Sequence, residues 1–106
     1  MTKLREAAKI IEERGWIKGS LENDHGVCLV GAVRKAWGMS PEEIAFSDGF
    51  TRDMVSCNNV IKEQFYDRYF HLDFPYFNDH DATVEADVLL VLDKAAVLAE
   101  EVEGFE

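Results

Sequence analysis

The chain is poor in bases, cysteine and proline, and it contains no long apolar run. Eleven Lys and Arg stand against 21 Asp and Glu in 106 residues, a net charge of −10. The shortage is uneven. Residues 1–72 hold 10 bases and 11 acids, whereas residues 73–106 hold 10 acids and Lys94 alone. A surface of that sign repels nucleic acid and anionic lipid, so neither is expected as a partner. Basic residues interleaved with aromatics, the mark of a nucleic-acid face, do not occur as a patch. The two cysteines, Cys28 and Cys57, are expected to be buried, reduced thiols acting as small hydrophobes. The longest apolar runs, residues 27–33 and 88–92, fall well short of the ~18 residues of a membrane span. The N-terminus already alternates charge in a helical pattern and has no signal-peptide core, so a cytoplasmic location is expected.

The signatures of chemistry are missing too. There is no glycine-rich phosphate loop and no Gly-x-Ser-x-Gly elbow. No Cys-x-x-Cys or His-x-x-His spacing offers a metal site. A calcium loop starting at Asp79 would need glycine and glutamate where Val84 and Leu90 stand. Cys28, His25 and Asp24 superficially offer nucleophile, base and orienter. A reactive thiolate needs a positive, accessible setting, and Cys28 lies between Val27 and Leu29 beside an acidic loop. No enzyme and no cofactor are therefore expected.

What is present is helical periodicity. The 47% apolar content suffices for one core and argues against disorder, so residues 1–106 read as a single domain. Leu4, Ala7, Ala8 and Ile11 share one face of a first helix, with Thr2 to cap it and Gly15 to end it. Residues 15–26 read as a loop. Taken alone, residues 27–30 suit a strand paired with residues 16–17 as well as they suit a buried helix. Ala32 to Trp37 continues well only as helix, so a buried central helix over about 24–37 is preferred. Its Gly31 and Ala32 would let a neighbouring backbone come close. Gly38 should end it. Ser40-Pro41-Glu42-Glu43 has the form of a capping box opening a short helix, which a turn at Ser47-Asp48-Gly49 would close. Thr51 would cap the next helix, running to about Phe70. A long last helix is expected over about 83–102, capped by Thr83. Val84, Val88, Leu89, Val91, Leu92, Ala95, Ala96, Leu98, Ala99 and Val102 would make its buried half. The fold class is therefore all-α, a compact bundle of four to five helices.

Two features could serve a partner. Seven of the chain's 12 aromatics crowd into residues 65–77, where Pro75 forbids a continuous helix. Tyr66, Tyr69, Phe70 and Tyr76 are candidate anchors, because aromatic side chains dominate interface hot spots. On the last helix, Leu90 and Val97 project away from the apolar half, seven residues apart, as a candidate seam for a second chain and hence a homodimer. His25, Asn78, Asp79, His80 and Asp81 form a candidate polar cluster, in which the plainest role of Asn78, Asp79 or Asp81 is to bond backbone amides in the turn before the last helix.

Three stretches together carry a resemblance. They are Gly15-Trp16-Ile17-Lys18-Gly19, then Gly26-Val27-Cys28-Leu29-Val30-Gly31-Ala32-Val33, then Phe77-Asn78-Asp79 running on into Thr83-Val84-Glu85 and Val88 to Ala96. With the first helix, these stretches resemble a family of small uncharacterised domains of actinobacteria and their bacteriophages. That family often carries cysteine where this chain has Ile17 and tryptophan where it has Phe77. The resemblance covers about half the chain, leaves residues 39–76 unmatched, and implies a setting rather than an activity.

The leading expectation is a non-enzymatic protein-interaction module, a phage accessory protein acting on a host protein, with acids steering a basic partner. The alternatives are a small-ligand or enzymatic site formed by the turns at 16–28 and 77–81, and an acidic mimic of DNA.

Overall fold

A computed structural model describes residues 2–40 and 48–103, with side chains to residue 101. Helix α1 (Lys3–Arg14) is followed by a two-residue hairpin, β1 (Glu22–Asn23) and β2 (Gly26–Val27). Then come α2 (Leu29–Ala36), α3 (Asp48–Gln64), a 3-10 turn (Tyr66–Arg68), α4 (Phe74–Asp79) and α5 (Glu85–Glu103). The molecule is a helical bundle: α1 packs on α2 and α5, and α3 packs on α5. Leu4, Ala7, Ile11, Leu29, Val33, Cys57, Val88 and Leu92 meet in one core. Among the described residues, no helix is long and apolar enough to cross a membrane.

Helix α1 begins and ends as its residues dictate. Thr2 Oγ1 accepts from Arg5 N at 3.3 Å. At the other end Gly15 takes φ 96° and donates to Ile11 O.

The central helix is shorter than its apolar pattern suggests: it spans Leu29–Ala36 rather than about 24–37. Residues 24–28 are held open by backbone pairing on two sides. Val27 N donates to Gly15 O at 3.0 Å and Ile17 N to Val27 O at 3.1 Å, a parallel bridge, while Glu22–Asn23 pairs antiparallel on the other side. Only glycine fits at 26, where φ is 152° and a Cβ would come within 2.3 Å of Gly15 O. The expected alternative strand pairing of residues 16–17 with 27–30 shrinks to the single bridge at Trp16 and Val27. The helix that remains is buried, Leu29, Ala32 and Val33 completely. At Gly31 a Cβ would lie 2.0 Å from Leu21 O, so the loop backbone rests on the helix there. Gly38 (φ 72°) closes α2 in a Schellman motif, Gly38 N donating to Lys35 O and Met39 N to Arg34 O.

Three further boundaries differ from the sequence pattern. The Ser40-Pro41-Glu42-Glu43 start lies largely outside the described residues, but α3 already includes Asp48, Gly49 and Thr51. Neither a turn at 48–49 nor a cap at Thr51 therefore exists. Gly49 serves packing instead, because the Trp37 ring would sit 2.2 Å from its Cβ. Helix α3 stops at Gln64 and not near Phe70, since Phe65 leaves the helical basin (φ −134°, ψ 50°). That bend brings the Phe65 and Phe77 rings within 5.2 Å. Helix α5 starts one residue after Val84, whose N–H donates to Asp87 Oδ2. Thr83 does not cap it; its hydroxyl accepts from Arg68 Nη1 at 3.0 Å. Lying before the helix, Val84 escapes the helical stripe and is exposed, as is Leu98 at the stripe's edge.

Candidate functional site

The turns at 16–21 and 77–81 meet at one end of the bundle, and Asn78 is their hinge pin. It is 1% exposed. Its Oδ1 accepts from Trp16 Nε1 at 2.7 Å and from Leu29 N at 3.0 Å. Its Nδ2 donates to Ile17 O at 3.1 Å and to Asp79 Oδ1 at 2.9 Å. Two donors and two acceptor sites exhaust an asparagine, so Asn78 is spent on the fold. Asp79 Oδ1 also accepts from Gly19 N, and Lys18 Nζ donates to His80 O at 2.7 Å. Cys28 completes the same junction from below. Its Sγ accepts from Gly31 N at 3.3 Å, so thiol and carboxamide between them serve two of the first amides of α2. Burial pushes the Cys28 thiol above its ordinary value despite those amide donors. Burial pushes Cys57, which is wholly enclosed, up further. Both cysteines are free thiols.

Helix α4 forms the outer wall of this junction. Asp73 caps it by accepting from Tyr76 N, with Pro75 in the first turn. Between α4 and the 19–21 loop lies a cavity of about 370 Å³. Leu21 and Ser20 stand on one side and Phe74 and Pro75 on the other, with Cys28, Val30 and Asn78 beneath. The walls are mostly apolar. Across Pro75 and Asp79 the cavity adjoins a shallow depression bordered by Asp73, Tyr76, His80 and Asp81.

The candidate anchors divide sharply. Phe65 and Phe77 are core, and the Arg68 guanidinium lies 4.5 Å from the Phe65 ring centre while donating to Thr83 and Asp87. Tyr69 is half-buried, its hydroxyl 2.8 Å from His71 Nδ1. Tyr66 and Phe70 are exposed, at 75% and 62%, and Tyr76 at 44%. The Phe70 and Tyr76 rings touch at 5.7 Å, and the His80 ring stands edge-on to Tyr76. Leu90 and Val97 are exposed as expected, but on α5, apart from this face. His25 is exposed at the hairpin tip, its N–H bound to Asn23 Oδ1, and does not line the cavity. Asp81 joins the rim of the depression rather than the hinge. Among the described residues, no three His, Cys, Asp or Glu side chains converge to hold a metal ion.

Sequence reasoning overlooked Leu72, Phe74 and Val30. Leu72 is 52% exposed with φ 57°, and its N–H donates to the buried Asn58 Oδ1 at 2.9 Å. A branched residue in the left-handed region costs about 1–2 kcal/mol, where glycine or asparagine sits more easily. Helix α4 itself carried a signal, since Asp73 two residues before Pro75 is a cap followed by a first-turn proline.

Fold and site together define a small helical domain whose loop and short fourth helix enclose an apolar cavity edged by acids and exposed aromatics. The chain belongs to a family of unknown function (DUF6197), whose model matches residues 2–98. No curated protein and no solved structure matches it.

Proposed function

We propose that this domain is a non-enzymatic protein-interaction module that engages its partner through the face built by residues 70–81. In the setting that its family resemblance implies, it acts in the cytoplasm of an actinobacterial cell as a phage accessory factor on a host protein. The observation that carries the reading is Leu72. A bulky apolar side chain is held outward in a backbone conformation that disfavours it, between exposed Phe70 and the Asp73 cap. Backbone strain of that kind persists where the surrounding structure enforces it, and it gathers at functional surfaces. Phe70 and Tyr76 beside it supply the aromatic area that anchors interfaces.

The polar groups near the cavity lend an enzymatic reading little support. Asn78 is fully bonded, the Cys28 thiol is pushed toward its protonated form, and His25 lies elsewhere. The acids of α5 support DNA mimicry little better. Asp93 and Glu100 are engaged by Arg5, and Asp87 by Arg68, which breaks up a phosphate-like row.

The test is retention of a host protein from actinobacterial lysate on the immobilised chain, at low and at moderate salt. A protein kept by the wild type and lost on Phe70→Ser/Tyr76→Ser supports the module. No saturable protein in either salt, or equal retention by the variant, refutes it.

A further inference from the structure

Resting on that reading, we propose that the occupant of this face is an extended, basic peptide segment of the partner. It would place one aliphatic or aromatic side chain in the cavity between the 19–21 loop and α4, with a Lys or Arg a few residues away over the acids beyond Pro75. Cavity and depression form one continuous surface because Pro75 and Asp79 border both. The first part is apolar, walled by Leu21, Val30, Phe74 and Pro75, and its ~370 Å³ suits one large side chain, lying near the lower end of ligand cavities. The second part carries Asp73, Asp79 and Asp81. Lys18, bonded to the His80 carbonyl, brings one positive charge to the same rim, which leaves the acids there in excess. Three carboxylates on the rim of an apolar slot call for a guest that is apolar at one point and cationic beside it. The net charge of −10 on the chain extends that attraction beyond contact range and speeds encounter with a basic segment.

Two variants separate the halves of the site without removing its hydrogen bonds. Val30→Phe fills the cavity from its floor. Asp73→Asn/Asp79→Asn/Asp81→Asn removes the charge while leaving an oxygen to accept from Tyr76 N and Gly19 N. A displayed random-peptide library is selected on the intact chain, and a selected peptide is then titrated on the wild type and both variants. Enriched peptides should pair an apolar anchor with a nearby Lys or Arg. Val30→Phe should weaken binding about tenfold or more, the loss of roughly one anchor contact. The triple variant should lose most of the salt dependence seen in the wild type. Leu21→Trp, on the loop side of the same cavity, repeats the test if Val30→Phe does not fold.

Selected peptides without a base, or indifferent to cavity filling, overturn this occupant while the module reading stands. A dimer abolished by Val30→Phe puts a second copy of the chain in the groove and likewise overturns it. A library that returns nothing on the folded wild type overturns the occupant; if the lysate also yields no partner, the module falls with it.

Discussion

Replacing Asn78 by alanine tests how the candidate face is built. The change removes four hydrogen bonds at once and strands Leu29 N, Trp16 Nε1 and Ile17 O. Leu29 is wholly buried, so its amide pays a full desolvation penalty, about 1–3 kcal/mol. Trp16 and Ile17 are half-buried, and water can recover part of theirs, so about 1 kcal/mol each is reasonable. The expected loss is about 3–5 kcal/mol, a large share of the 5–15 kcal/mol typical of a domain. With a urea slope near 1.5 kcal/mol per molar, the midpoint should fall by about 2–3 M. Urea unfolding followed by far-UV circular dichroism measures it, with Trp fluorescence as a second probe. Trp16→Phe removes the indole donor together with part of the ring packed on the core, and the donor's share should cost about 1 kcal/mol. That cost should largely vanish in the Asn78→Ala background, because the two share one bond. A loss below about 1 kcal/mol for Asn78→Ala, or full additivity of the pair, refutes the hinge.

Gly31→Ala should destabilise by about 2 kcal/mol although alanine is the better helix former by about 1 kcal/mol, because the new methyl meets the Leu21 carbonyl at 2.0 Å. An unchanged urea midpoint would contradict that close approach. Leu72→Asn should raise stability by about 1 kcal/mol, read as a higher melting temperature, while weakening partner binding. Glu22 is held below the ordinary glutamate value of 4.5 by its hydrogen bond from Lys35, with the charges of Lys35 and Arg14 assisting. Glu100 is held below it by its hydrogen bond from Arg5. A folded value below the unfolded one means stability that is present above pH 4.5 and is lost as pH falls through the folded values. The urea midpoint should therefore drop in acid below that value, and Glu22→Gln/Glu100→Gln should flatten the drop.

Much of the bundle was legible because local signals and burial agreed. Thr2 and Gly15 bracket α1, Gly38 ends α2, and Leu90 and Val97 emerge on the outer side of α5 as their spacing requires. The 24–28 stretch was misread because its apolar residues suit a helix, while the tight hairpin with Glu22–Asn23 and the backbone of Gly15, a dozen residues earlier, pull it open. No periodicity records that. Gly49 looked like a turn residue, yet the Trp37 ring needs its missing side chain. At the candidate site, Asn78 stood out as one polar residue among five. Three of its four partners lie 49 to 62 residues away, so its role could not be read locally. Leu72 was invisible for a different reason: its conformation, not its identity, marks it.

The most direct test of the working surface uses Cys28, which borders the cavity and keeps 7% exposure, while Cys57 is sealed in the core. Alkylation of Cys28 is timed with and without a saturating selected peptide. The proposed docking predicts that bound peptide slows the modification severalfold in proportion to occupancy, whereas peptide that binds yet leaves the rate unchanged would contradict it.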